Sequence, residues 1–292
     1  MPELPEVEIT RRQLVPLLVG RLIAAVRTSA PSYFFITSPR VLKRRLPGRR
    51  VIELRRLGKY LLADLDDGQR LLLHLGMTGQ LFGHGAASVR LLSSTRGAAL
   101  APESQTARFS PDRHTHLQLS FADPGPDVYF RDARKFGKVQ LLRPGEGSPR
   151  LERLGVDALA WTGARLFAAS RRRRIPLKAL LLDQSVVAGI GNIYADEALF
   201  LAGLRPTRGA TRLTRPEADH LVTAVLAVLH RSIETGGSSI SDYVQPDGSD
   251  GTYQDERRVY GREGEPCPSC GTPITRRVIG QRSTHYCRRC QC

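Results

Sequence analysis

The chain has 292 residues, of which 41% are hydrophobic and 25% charged, so it can bury a sizeable core and is not wholly disordered. Its 44 Lys and Arg against 28 Asp and Glu give a formal charge of +16 and an isoelectric point near 10.4, which points to a polyanionic partner, nucleic acid ahead of an anionic membrane surface. No apolar run approaches the roughly 20 residues a membrane span needs. The acidic start Met1-Pro-Glu-Leu-Pro-Glu-Val-Glu8 is not a secretory signal, and the expected location is the cytoplasm or nucleoid.

In chain order, Glu3 to Leu18 reads as a helix with Val7, Leu14 and Leu18 on one face and Gly20 as its stop. Strand-like runs follow at Arg21–Val26, Val51–Arg55, Tyr60–Leu65, Arg70–Leu75, His116–Phe121, Val128–Arg131 and Lys138–Leu142. Asp66-Asp67-Gly68 marks a hairpin between two of them. The spacing predicts an antiparallel β-sandwich or barrel. Gly83 to Asp112 breaks the pattern and reads as a long mobile insertion, rich in Ala, Ser, Gly and Arg.

Arg143 to Pro149 is a linker, and beyond it the texture turns helical. Short helices are expected at Pro176–Leu182 and Tyr194–Ala202, around the Gly-punctuated turn Val187-Ala-Gly-Ile-Gly-Asn192. Thr214-Arg-Pro-Glu217 is a capping box, followed by Leu221, Val222, Val225, Leu226, Leu229 and Ile233 at helical spacing and closed by Gly236. Gly236 to Gly251 reads as a flexible loop, and there is no internal repeat. The domains expected are therefore a β-sandwich domain over 1–143, a helical domain over 150–236, a loop over 237–256 and a Cys-containing tail over 257–292.

All five cysteines lie between Cys267 and Cys292. Cys267-Pro-Ser-Cys270 and Cys287-Arg-Arg-Cys290 are two C-x-x-C knuckles, and sixteen residues separate them. Four thiolates so spaced close a tetrahedral site on one structural Zn²⁺, with Ile274–Ile279 and His285–Cys287 as arms of a hairpin ribbon. A redox role is disfavoured, because no thioredoxin-like βαβ context surrounds the knuckles. Cys292 is left over as a terminal thiol. Arg276, Arg277, Arg282, Arg288 and Arg289 make the ribbon basic, as either a solvated face or a phosphate contact.

Removal of Met1 would expose the secondary amine of Pro2. A terminal amine ionises near 7.7–8.0, so part of it is neutral at about pH 7 and can attack a carbonyl-like carbon. Glu3 beside it would serve as acid or base. On these residues alone, the simpler reading is that Pro2, Glu3 and Pro5 only start and cap the first helix.

A wider set of motifs bears on that choice. The first eight residues, Leu57-Gly-Lys-Tyr60, His74-Leu-Gly-Met-Thr-Gly79, Asp132-Ala-Arg-Lys-Phe-Gly137, Gly189-Ile-Gly-Asn-Ile-Tyr-Ala195, Val259-Tyr-Gly-Arg262 and the terminal cysteine pattern occur in one order. Together they resemble the bacterial formamidopyrimidine-DNA glycosylases, from residue 1 to residue 290, with the Gly83–Asp112 insertion as the one large departure. The resemblance implies an α+β multidomain fold: an N-terminal helix and antiparallel β-sandwich, a helix–two-turn–helix domain and a C-terminal zinc ribbon.

It implies a bifunctional glycosylase and abasic-site lyase excising 8-oxoguanine and formamidopyrimidines from duplex DNA. Pro2 would be the nucleophile, Glu3 the proton shuttle, Lys59 a phosphate ligand and proton donor for β-elimination, and Arg282 the cation for δ-elimination. Met77, Arg134 and Phe136 would fill the space left by the flipped nucleotide. His114, Asn192 and Arg173 (or Arg174) would contact phosphate. The 238–253 loop, ending in Thr252 and Tyr253, would fold over the base. Two alternatives remain: an endonuclease VIII-like enzyme acting on oxidised pyrimidines, and a basic zinc-ribbon DNA-binding protein without catalysis. A monomer is expected.

Overall fold

The computed structural model describes residues 2–83, 109–239 and 243–292. The chain divides into two compact units, one of residues Met1–Ser148 with Thr235–Gln254, the other of Pro149–Glu234 with Asp255–Cys292. Among the described residues, no helix is long and apolar enough to cross a membrane.

The first unit begins with helix α1 (Leu4–Leu18). Glu3 is its N-cap in a capping box with Glu6, and Pro5 lies in its first turn. Gly20 takes the left-handed conformation (φ +81°) that ends it. Strands β1 (Ile23–Thr28), β2 (Val51–Leu57), β3 (Tyr60–Leu65), β4 (Arg70–His74), β5 (Gly79–Gly83), β6 (Thr115–Phe121), β7 (Val128–Asp132) and β8 (Lys138–Leu142) form two antiparallel sheets, ordered β1-β6-β7-β5 and β2-β3-β4-β8. One apolar core holds Ile23, Leu81, Leu117, Leu119, Val128 and Phe130 from the first sheet with Leu54, Leu61, Ala63, Leu71, Leu73 and Val139 from the second. Val7, Leu14 and Leu18 bring the apolar face of α1 into it. This is the expected sandwich, with the two sheets sharing one core.

Several elements differ from expectation. β1 begins two residues late, because Arg21 is drawn out to Asp123 and to the carbonyls of Leu17 and Pro126. Helix α2 (Pro39–Arg45) was not expected: four of its seven residues are basic and it buries little beyond Leu42, so it shows no apolar period. β5 was hidden because all five of its residues are buried, which erases alternation.

The presumed insertion is shorter at both ends than read. Gly83 closes β5, and Phe109 packs against Phe82 and Tyr129 at ring-centroid distances of 5.1 and 5.2 Å. Asp112 pairs with Arg131 at 2.9 Å. The part between, 84–108, lies outside the described residues.

The loop read as flexible is anchored where it is described. Ser238 N–H donates to Glu6 Oε1 (2.9 Å), buried Tyr243 donates to the Glu6 carbonyl (3.0 Å), and Gln13 Nε2 donates to Gln245 Oε1 (2.6 Å).

The second unit contains α3 (Pro149–Glu152), α4 (Gly163–Arg171), α5 (Leu177–Leu182), α6 (Asn192–Leu201) and α7 (Arg215–Glu234). A short parallel pair joins β9 (Val156–Asp157) to β10 (Val187–Ala188). The capping box of α7 is present, with Thr214 N–H on Glu217 Oε2 at 2.8 Å. Arg208 grips the same carboxylate at 2.7 and 2.8 Å and, with help from Thr214, holds it down at about 2. Leu221, Val222, Val225, Leu229 and Ile233 are buried as the period predicts, and Leu226 is half-buried.

The tail is the hairpin β11 (Thr275–Ile279) and β12 (Arg282–Tyr286). Its two-residue turn, Gly280 and Gln281, has φ of +54° and +63°, a sign pattern that matches the strand twist. The second arm is therefore longer than read, and Arg282 is its first residue.

Candidate active site and zinc centre

In the first unit the chain start is fixed rather than frayed. Pro2 is buried and Glu3 is 2% exposed. Glu3 N–H donates to Glu6 Oε2 (2.8 Å), and the Glu3 side chain accepts from the backbone of Glu6. Glu6 also receives Ser238 and Tyr243, so one glutamate joins the chain start to both of these distant residues. Burial pushes the Tyr243 hydroxyl well above its ordinary range, which keeps it a donor.

Lys59 lies in the turn between β2 and β3 and is 9% exposed. Gly58, at φ +55°, makes that turn. Arg56 donates to the Gly58 carbonyl (3.0 Å) and to Glu8 Oε2 (3.1 Å), tying the turn of Lys59 to the helix capped by Glu3. Glu8 also accepts Arg11 and Arg12. Burial would raise its pKa, but the three guanidinium groups together outweigh that and hold the pKa at about 2.

The three void-filling candidates lie on two loops. Met77, Arg134 and Phe136 are all exposed. The loops meet backbone to backbone: a Cβ on Gly76 would stand 2.5 Å from Gly137 N and from the Phe136 carbonyl carbon. Buried Asp132 ties them, accepting the Thr78 hydroxyl, Gly137 N–H (2.6 Å) and Arg134 N–H (3.2 Å).

His116 faces inward, as its alternation with His114 predicts. Its Nε2 donates to the Asp132 carbonyl at 2.9 Å, so Nδ1 accepts from Ser29 at 3.0 Å, and burial holds the ring neutral. His114 is half-buried, and burial and then Arg131 lower its basicity too.

In the second unit, Asn192 is the first residue of α6, and its Nδ2 donates to Ser283 Oγ at 3.4 Å. The structure thus brings Asn192 beside the strand begun by exposed Arg282. Arg173 is half-buried and paired with Asp183 at 3.3 Å, whereas Arg174 is exposed. Sequence reasoning missed what holds this arrangement. Lys178, on α5 and fully buried, lies 2.7 Å from Asp196 Oδ1 and donates to the Ser283 carbonyl (2.8 Å) and Thr284 Oγ1 (2.9 Å). Asp196 Oδ2 accepts His285 N–H at 2.8 Å. Glu197 accepts the N–H groups of Arg258, Val259 and Tyr260 at 2.8–2.9 Å. The available signal was two adjacent carboxylates within the otherwise apolar helix Ile193–Leu201, where charge is affordable only with partners.

The Sγ atoms of Cys267, Cys270, Cys287 and Cys290 lie within 4.8 Å of one another. The separations Cys267–Cys290 (3.8 Å) and Cys270–Cys287 (3.5 Å) are far beyond a disulfide and close to the ~3.8 Å edge of a tetrahedron with ~2.3 Å Zn–S bonds. The donor set fits one zinc ion with no open position, a structural site. Cys292 is exposed and takes no part.

A sandwich with a capped helix at its start, joined in one chain to a helical unit and a four-cysteine ribbon, defines a multidomain zinc-ribbon protein. Family models agree. The formamidopyrimidine-DNA glycosylase N-terminal domain matches residues 1–139, the corresponding H2TH domain 154–244, and the zinc finger found in FPG and IleRS 264–291. The formamidopyrimidine-DNA glycosylase of Cereibacter sphaeroides is 46% identical over 297 residues, covering all of both chains. Among solved structures, the MutM (Fpg) protein from Thermus thermophilus matches with a TM-score of 0.82 and 42% identity, covering 99% of this chain and 98% of that one. A Lactococcus lactis Fpg variant in complex with a Fapy-dG containing DNA matches with a TM-score of 0.84 and 32% identity, covering 99% of each chain.

The chain belongs to the formamidopyrimidine-DNA glycosylase family. It is a DNA glycosylase and abasic-site lyase of base excision repair, carrying one structural zinc.

Proposed function

We propose that this enzyme excises oxidised purines, 8-oxoguanine and formamidopyrimidines, from duplex DNA and then cuts the strand on both sides of the abasic sugar. The observation that carries this reading is the buried, capped chain start. Termini ordinarily fray, whereas here Pro2 is buried and Glu3 is held by Glu6. The solved Lactococcus lactis Fpg complexes, with Fapy-dG containing and abasic-site DNA, support the substrate class.

With Met1 removed, the Pro2 nitrogen attacks the sugar C1′, and the bond from C1′ to the damaged base breaks as the base leaves with the electron pair. Glu3 delivers a proton to the ring oxygen, the ring opens, and Pro2 carries an iminium. The iminium acidifies the C2′ proton; its loss expels the 3′ phosphate, and a second elimination expels the 5′ phosphate. Lys59 holds the phosphate beside the lesion and donates a proton in the first elimination. Arg282 serves the second. The four cysteines hold zinc, which stabilises the ribbon that carries Arg282.

Flipping the base costs a few kcal/mol, which Met77, Phe136 and Arg134 offset by filling the gap. Arg134 donates to the orphaned cytosine. His114 contacts DNA, and Asn192 and Arg173, or its neighbour Arg174, contact phosphate, Arg173 being paired with Asp183 at 3.3 Å. Thr252 and Tyr253 end the segment that covers the base. The enzyme acts as a monomer on the nucleoid in the cytoplasm.

Borohydride trapping on a duplex with one 8-oxoguanine opposite cytosine tests this, using protein with a verified Pro2 start. A covalent adduct that disappears in Pro2→Gly, with DNA affinity retained, is expected. An adduct only on thymine glycol duplex would overturn the purine assignment. An adduct that survives Pro2→Gly would overturn the role of Pro2.

A further inference from the structure

Tyr33 belongs to none of the motifs above, yet it touches the loop of Arg134 and Phe136. Tyr33 is 62% exposed, while the residues that follow it are anchored. Phe34 beside it is fully buried against Phe130 at 4.9 Å between ring centroids. The Phe34 carbonyl accepts Val139 N–H (3.0 Å), and Ile36 N–H donates to the Val139 carbonyl (2.9 Å). Tyr33 thus stands on a segment bonded along β8, immediately after the loop in question.

From there the Tyr33 hydroxyl donates to the Arg134 carbonyl at 2.8 Å. That carbonyl belongs to the peptide plane between Arg134 and Lys135. Lys135 has φ +59°, a left-handed conformation that a side chain disfavours and that must be held by its surroundings. Rotating this plane is how Lys135 would relax, and the Tyr33 hydroxyl opposes the rotation. The plane before Arg134 is fixed from inside, since its N–H donates to Asp132. Lys138 closes the arrangement, with Nζ 5.0 Å from the centre of the Tyr33 ring and donating to the Gly137 carbonyl at 3.0 Å. Both peptide planes that set the root of the Arg134 side chain are therefore held, one by buried Asp132 and one by exposed Tyr33.

We propose that Tyr33 is a positioning residue for opposite-base discrimination: it locks the backbone from which Arg134 reads the orphaned base. This rests on the reading of Arg134 as the contact to that base.

The test compares single-turnover excision of 8-oxoguanine opposite cytosine and opposite adenine for wild type, Arg134→Ala and Tyr33→Phe. Tyr33→Phe keeps the ring, the Lys138 contact and, because the residue is exposed, the melting temperature. The expected result is a loss of cytosine-over-adenine preference in Arg134→Ala and a smaller loss, about three- to tenfold, in Tyr33→Phe, the range of one neutral hydrogen bond. Should Arg134→Ala alone shift the ratio, Tyr33 is only a surface hydrogen bond and the proposal is overturned while the Arg134 reading stands. Should neither shift it, the Arg134 reading falls and the proposal with it.

Discussion

Lys178→Met keeps the length of a side chain while deleting its charge, at a site with no access to water. The ammonium pairs with Asp196 Oδ1 at 2.7 Å and donates to the Ser283 carbonyl and the Thr284 hydroxyl. Methionine would leave a fully buried carboxylate facing, among the described residues, the His285 N–H and, at 3.5 Å, the His285 ring, and a strand carbonyl without that donor. Removing one partner of a buried pair costs about 3–5 kcal/mol, because the other charge stays behind in a medium that cannot solvate it. For a chain of 292 residues that is a fall in melting temperature of about 5–8 °C.

Lys178→Met/Asp196→Leu removes both charges and leaves chiefly the His285 N–H without its acceptor, a residual cost of about 1–3 kcal/mol. The double variant is therefore expected to be more stable than the single one. The functional consequence follows from Ser283 being the neighbour of Arg282. The share of product cut by δ-elimination, read from the 3′ ends on a sequencing gel, should fall more than base excision does. Scanning calorimetry on zinc-loaded protein supplies the stability arm. A single variant melting within about 2 °C of wild type, or a double variant no more stable than the single one, would refute the reasoning.

Three further outcomes are expected. Glu8 has its pKa lowered from 4.5 to about 2, so its contribution is complete above pH 4.5 and is lost as pH falls through 2. That difference corresponds to about 3 kcal/mol, and urea titrations should show stability falling more steeply between those values in wild type than in Glu8→Gln. Gly76→Ala should impair 8-oxoguanine excision and melt well below Gly48→Ala. Both positions have positive φ, but a Cβ at Gly48 meets nothing within 4 Å whereas one at Gly76 strikes the Phe136–Gly137 backbone; equal melting shifts would contradict this. Cys287→Ser should reduce bound zinc, measured by atomic absorption, from one equivalent towards none and destabilise the ribbon; full zinc retention would remove Cys287 from the ligand set.

The features legible in the sequence share one property: their partners lie close along the chain. The cysteine knuckles, the capping boxes at Glu3 and Thr214, the Asp66-Asp67-Gly68 hairpin and the long amphipathic helix each follow from spacing over a few residues, where geometry leaves few alternatives. The family motifs also drew attention to Pro2, Lys59, Met77, Arg134, Phe136 and Arg282, which sit in unusual local settings, on turns, exposed loop tips or a buried start. Local pattern failed where burial is uniform, as in β5, or where charge masks it, as in α2.

What the tertiary structure alone decided is which distant groups meet. Glu6 reaches Ser238 across 232 positions, Lys178 reaches Thr284 across 106 and Tyr33 reaches Arg134 across 101. No periodicity encodes such pairs. A buried charge or a left-handed lysine announces that something must compensate it, but the compensating group is chosen by how sheets and helices pack. The sequence by itself therefore determined most of the elements, the four cysteines of the zinc site and the family, but not α2 or β5. The folded chain decided how the loop of Arg134 and Phe136, the capped helix start and the strand of Arg282 are each held, because the hydrogen bonds that hold them exist only once distant segments exclude water together.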